Sequence, residues 1–204
     1  QREGTLKVTL CQKETSTFTG ATKTYTINAT LNETSLSVSP TSCTLDVDAT
    51  QDVTITTNNS DVTIGVTSSN PAVAEWDATN KCIVAKSVGT ATITFKQEGN
   101  TKWTGATKEV AVTVQRIANN LAVAASSYTL TVNDTWSGVL TEHNSNAEIV
   151  VTNSNPNAAI YDATSNTITA KAAGQTTIKF SQAETPKYKS AEKRPLTDAE
   201  KAAI

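Results

Sequence analysis

The chain has 204 residues, 37% of them hydrophobic, with 17 basic against 19 acidic side chains and a formal charge of −2. No stretch approaches the roughly 20 apolar residues that a membrane span requires. Lys and Arg are spread along the chain without surplus, so neither nucleic acid nor membrane insertion is expected. Thr, Val, Ile, Ser and Asn dominate, the composition of half-buried strands joined by polar turns, and an all-β class is predicted. The opening QREGTLKVTL has neither Met nor the order of a signal peptide, which reads as a processed chain or a window on a longer one.

In chain order, related segments open at Gly4, Gly89 and Gly174, giving a period of 85 residues without a gap. GTLKVTLCQ, GTATITFKQ and GQTTIKFSQ end at Gln12, Gln97 and Gln182, and an aromatic follows at Phe18, Trp103 and Tyr188. The front half recurs as well: LSVSPTSCTLDV from Leu36 matches LAVAASSYTLTV from Leu121, and VTSSNPAVAEWDATNKCIVAK from Val66 matches VTNSNPNAAIYDATSNTITAK from Val151. Residues 1–35 therefore read as the C-terminal part of one repeat, 36–120 as a complete repeat and 121–204 as a repeat with an atypical end. Short linkers fall near Thr30 to Ser35 and Gln115 to Asn120.

Alternation with a period of two marks the strands. Leu6, Val8 and Leu10 are predicted to face a core while Lys7, Thr9 and Cys11 face water. The same holds for Ala91, Ile93 and Phe95, and for Thr176, Ile178 and Phe180. Within the complete repeat, strands are predicted at Leu36–Val38, Thr44–Val47, Val53–Thr57, Val62–Thr67, Val73–Trp76, Cys82–Lys86, Thr90–Gln97 and Glu109–Val114. Pro40 separates the first two, since it cannot donate to a ladder. Asp77 to Asn80 and Asp162 to Ser165 read as turns closed by Asx side chains. Gly89 and Gly174 open the longest strand, where a positive φ is plausible. One wet face per sheet requires a second sheet, hence a sandwich. The end, KRPLTDAEKAAI, replaces a strand like KEVAVTV, and Thr197 with Glu200 is a capping-box pattern that predicts a helix.

The ordered series LSVSP, TLDV, SSNPAVAEWD, CIVAK, GTATITF and VAVTV resembles the bacterial immunoglobulin-like domain of group 2 (Big_2), found in invasin- and intimin-type adhesins. The aromatic followed by GATK is similar to versions in surface proteins of gut Bacteroidetes and their phages. The resemblance implies tandem immunoglobulin-like β-sandwich repeats. It selects no single role, because the family serves as stalks, adhesive tips, appended modules of secreted enzymes and phage decorations.

Chemistry is sparse. The single histidine, His143, lies in a polar loop where the preceding copy has Asn58, and no nucleophile–base pair is apparent. One histidine and three scattered cysteines do not make a zinc site within one domain. The aspartates form no DxDxDG loop, leaving calcium only at a junction between domains. No catalytic residue, cofactor or metal ligand is predicted. Free thiols are expected, with Cys11 and Cys82 outward and Cys43 inward; an intermolecular bridge through Cys11 is the alternative. Asn28, Asn32, Asn58 and Asn133 head sequons of a kind that chance supplies in such a chain.

Trp76, Trp103, Trp136 and Tyr188 are candidates for a sugar-binding platform. Position 76 is Tyr161 in the next copy and position 103 is aromatic in all three, which points to structural plugs. Trp136 has Gln51 as its counterpart and is the candidate ligand contact. The expected role is a non-catalytic structural and adhesive module of a secreted or cell-surface protein, a spacer and contact surface. Its expected partners are neighbouring repeats or subunits, and surface glycans or a protein receptor. The alternatives are a phage capsid or tail decoration that binds host glycans, located on the virion, and a carbohydrate-binding accessory module of a secreted hydrolase. Strand exchange between subunits is a competing account of the two atypical ends.

Overall fold

A computed structural model describes residues 4–193. The chain is all-β and divides after Val114 into two compact units. The predicted helix at Thr197–Glu200 lies outside the described residues.

The first unit begins with a two-stranded ribbon, β1 (Gly4–Gln12) and β2 (Ala21–Ala29), paired from Gly4↔Ala29 to Gln12↔Ala21. There follow β3 (Leu36–Ser39), β4 (Ser42–Asp46), β5 (Thr50–Asp52), β6 (Thr54–Thr57), β7 (Ile64–Ser68), β8 (Ala74–Asp77), β9 (Cys82–Ala85), β10 (Gly89–Gln97) and β11 (Ala106–Gln115). A four-stranded sheet in the order β4-β11-β10-β7 packs on a layer made of β3-β6 and β5-β9-β8. The result is a sandwich of immunoglobulin-like kind. Alternate side chains of β10 and β11 do the packing: Ile93, Phe95, Val110 and Val112 join Leu36, Val38, Leu45 and Ile83 in one buried cluster. Thr92, Thr94 and Lys96 take the other face, as the alternation predicts. Trp76 meets Phe95 edge-on at 5.2 Å, a favoured aromatic geometry.

Local chemistry sets the turns. Asp77 Oδ1 accepts the backbone N–H groups of Thr79 (2.8 Å) and Asn80 (3.1 Å), closing the β8–β9 turn as predicted. Hydrogen bonds from Asn80, backbone first and then side chain, hold the Asp77 carboxyl below its ordinary range. Asp162 is lowered in the same way, chiefly by the Ser165 hydroxyl. Gly89 has φ +149°, and a Cβ there would stand 2.9 Å from Val73 Cγ2, so both conformation and space demand glycine. Buried Gln97 pins the loop after β6: its Nε2 donates to the carbonyls of Asn59 and Val62, each at 2.6 Å, and Thr57 Oγ1 donates to its Oε1.

The second unit contains β12 (Ala122–Val123), β13 (Thr135–Ser137), β14 (Leu140–Glu142), β15 (Ile149–Asn153), β16 (Ala159–Asp162), β17 (Thr167–Ala170), β18 (Ile178–Gln182) and β19 (Ala191–Lys193). They form β15-β18-β19, β12-β14 and β13-β17-β16. Leu121, Val139, Ile168, Ile178 and Phe180 make its core.

Three expectations are corrected. Leu6, Val8 and Leu10 do not face a core; they are 58%, 37% and 58% exposed, because nothing among the described residues covers that side of the ribbon. The strand predicted over Val53–Thr57 is found as β6, while β5 just before it pairs with β9 and β6 with β3, so the chain changes sheets at buried Val53. Cys82 is buried, not outward. It does lie opposite in parity to Ile83, but β9 is the central strand and Asp52 and Asp77 flank it in direct register. Finally, Gly174 has the expected positive φ (+153°), yet the ladder starts only at Ile178. In the first unit Gly89–Thr92 are held in strand by pairing with β11, whereas among the described residues β19 pairs only with Phe180–Gln182. On the β15 side, Thr176 Oγ1 donates to Asn153 Oδ1, and Asn155 donates to Thr176 Oγ1 and to the Gln175 carbonyl.

Candidate functional site

Trp136 sits on the edge strand β13, in direct register with Ile168 of β17, which in turn faces Tyr161 of β16. Cross-strand partners share a face, so Trp136 belongs to the inward row even though its side chain is 45% exposed. Its ring lies 5.1 Å from that of Tyr128, tilted by 48°. Tyr128 packs against the core, and its hydroxyl finds no hydrogen-bond partner among the described residues. In the first unit the matching row is Gln51, Ile83 and Trp76, and Cys43 stands at the place of Tyr128. Two of the residues that break the sequence repeat therefore meet: the Cys43 and Gln51 positions become one half-exposed aromatic pair. Sequence reading singled out Trp136 but took Tyr128 only as the counterpart of Cys43, since contact across the sandwich edge leaves no trace in spacing.

A second concavity follows the same elements in both units. In the first it measures about 250 Å³ and is lined by Ile55, Thr57, Trp76 and Lys81, among others. In the second it measures about 540 Å³, with Leu140, Glu142, His143, Tyr161 and Asn166. Asn166 props its floor: its amide exchanges hydrogen bonds with the Leu140 backbone at 2.8 and 2.9 Å, and its Oδ1 accepts the Tyr161 hydroxyl at 3.0 Å. Burial pushes the Tyr161 pKa up, and the neighbouring Asp162 adds to it.

The backbone beside the groove also differs between the units. Ala122 pairs with Glu142 but Val123 pairs with Leu140, so Thr141 is an extra residue in β14, a bulge that shifts the downstream residues by one place. In consequence His143 does not replace Asn58, as sequence alignment suggests. Asn58 accepts from Ser35 N at 2.8 Å, donating to Glu33 O; Asn144 accepts from Asn120 N at 3.0 Å, donating to Ala118 O. His143 is extruded to the groove, with Nδ1 3.4 Å from the Ser145 carbonyl.

The recurring aromatic marks a backbone clamp. Asn32 N donates to Lys102 O and Thr104 N to Asn32 O, both 2.9 Å, in a parallel bridge with Trp103. Ile117 N donates to Lys187 O and Lys189 N to Ile117 O, again 2.9 Å, around Tyr188. Trp103 Nε1 donates to Asp61 Oδ2 at 3.1 Å, and Lys102 Nζ lies 3.2 Å from the same oxygen. Hydrogen bonding from Lys102 first, then from Trp103, lowers the Asp61 pKa. Arg116 Nε donates to Thr185 O at 2.8 Å, and its guanidinium lies 3.0 Å from Glu184. Phe18, the third aromatic, is exposed.

Cys11, Cys43 and Cys82 are unbonded thiols. Among the described residues no three His, Cys, Asp or Glu side chains come together as a metal site, and no helix is long and apolar enough to cross a membrane.

No family model and no curated protein matches the sequence. Among solved structures the chain is similar to the S-layer protein rSbsC(31-844), at 12% identity and TM-score 0.43, over 94% of this chain and 35% of that one. It is also similar to Drosophila N-cadherin EC1-3 (11% identity, TM-score 0.28, 76% of this chain and 63% of that) and EC1-4 (9%, 0.30, 95% and 57%). The chain spans about a third of the S-layer protein's length and about three-fifths of each cadherin fragment.

Proposed function

We propose that this chain is a non-catalytic spacer and contact module of a secreted or cell-surface protein. The observation that carries it is the repeated clamp. In each unit the entering segment is not free linker but is hydrogen-bonded to the aromatic loop of that unit, at Asn32 with Trp103 and at Ile117 with Tyr188. In the second unit the side chain of Arg116 is tied as well, its Nε donating to the Thr185 carbonyl. A tether of this kind suits a stalk, where bending would waste reach. Spin labels on β10 and β18 test it by pulsed dipolar spectroscopy. A narrow distance distribution is expected, broadened by Ile117→Pro, which removes the N–H donated to Lys187. A wild-type distribution as broad as that of a flexible linker would refute the spacer reading.

One observation favours a second role, as a carbohydrate-binding accessory module: the half-exposed pair of Trp136 and Tyr128 at a sheet edge. Aromatic faces of that kind stack on sugar rings. Glycan-array binding that disappears with Trp136→Ala supports it, and an array with no binding removes it.

A further inference from the structure

The ribbon at the head of the chain is two-faced. On one side Thr5 bonds Asn28 at 3.0 Å and Thr9 lies 3.1 Å from the Thr24 hydroxyl, with Lys7 opposite Thr26. On the other side Leu6 stands opposite Ile27 and Val8 opposite Tyr25, and all of these, with Leu10, are large apolar residues in the open. A polar face bonded within the ribbon and an apolar face covered by nothing among the described residues form half of an interface, since a two-stranded ribbon cannot bury a core alone.

The complete sandwich shows what fits there. β10 and β11 pair Ala91↔Val112 and Ile93↔Val110. These are the positions that Leu6↔Ile27 and Val8↔Tyr25 occupy when the two GT-segments are aligned. In the first unit that face is covered by Leu36, Val38, Val53 and Ile83 of the opposite layer, while β7 pairs along the outer edge of β10 over Ile93–Gln97 and β4 lies along the outer edge of β11.

We infer that the Gly4–Ala29 ribbon is the closing pair of an immunoglobulin-like sandwich, and that its apolar face docks the front half of such a repeat. The occupant is a half-sandwich with the residue pattern of 36–88, presenting an apolar inner layer and two strand edges, one to Val8–Gln12 in the manner of β7 and one to the outer edge of Ala21–Ala29 in the manner of β4. A second ribbon would cover the face but would offer no strand in the place of β7, which is why the half-sandwich is the better fit.

The test joins a second copy of residues 36–88 directly to Gly4, in place of residues 1–3 of the full chain, so that it meets Gly4 as Val88 meets Gly89. Hydrogen exchange of peptides covering 4–12 and 21–29 is then compared with that of the unfused chain. Slowing by roughly 100-fold or more is expected, as for core strands against open ones. Leu6→Asp with Ile27→Asp should return the fusion to the unfused rate. A parallel fusion of residues 121–173 guards against misassembly of one insert. If neither fusion slows exchange, the inference is overturned. It is equally overturned if the unfused chain forms a dimer in which the ribbon is protected, because the occupant is then a second ribbon.

Discussion

Phe95 and Leu10 hold the same place in the sequence repeat, yet replacing each by alanine should have very different consequences for stability. Phe95 is fully buried and carries the edge contact with Trp76, so Phe95→Ala is expected to cost about 3–5 kcal/mol, transfer and cavity together. Leu10 is 58% exposed, and Leu10→Ala should stay within about 0.5 kcal/mol, as surface substitutions do. Urea unfolding followed by tryptophan fluorescence reads the difference in a Trp136→Phe background, where both remaining indoles, Trp76 and Trp103, belong to the first unit. With a slope of about 1.5 kcal/mol/M, the Phe95→Ala midpoint should fall by roughly 2–3 M, and the Leu10→Ala midpoint by less than about 0.3 M. A Phe95→Ala shift below about 0.5 M, or a Leu10→Ala shift of similar size, would show that the burial assigned to the two faces is wrong.

Gly89→Ala and Gly174→Ala should each cost about 1–3 kcal/mol for a φ that only glycine holds without strain. Gly89→Ala should cost more, because its Cβ meets Val73 at 2.9 Å where at Gly174 the nearest atom is the Ala158 methyl at 3.4 Å; equal losses in urea titrations of the two units would contradict this. Asp61, with its folded pKa lowered by Lys102 and then Trp103, contributes stability that is present above the unfolded aspartate range and lost as pH falls through the lower folded value. Carboxyl NMR titration should move Asp61 up in Lys102→Ala and by less in Trp103→Phe, and an unmoved value would remove the assigned cause. In a thiol assay on native protein, exposed Cys11 should react at once. Cys43 and Cys82, whose pKa values burial raises, should react slowly until urea is added, and three fast thiols would contradict their placement.

Local features are legible in the residue order. The alternation in GTATITFKQ assigns Ile93 and Phe95 inward because a strand has only two faces, and Asp77 announces its turn because its carboxylate reaches backbone N–H groups two and three residues on. The candidate contact is half legible. Trp136 stands out as a break in the repeat, whereas its partner Tyr128 and its place in the inward row emerge only from the register of β13 on β17.

The amino-acid order by itself therefore determined the all-β class, the faces of the long strands and the turns, since each depends on neighbours within a few residues. Tertiary structure alone decided the rest. Cys82 is buried because two strands flank it, Val53 marks a change of sheet because its neighbours pair with different partners, and His143 reaches a groove because Thr141 bulges out of its ladder. Leu6, Val8 and Ile27 have the pattern of core residues, but burial is a property of the surface lying opposite, and in this structure their side of the ribbon is open.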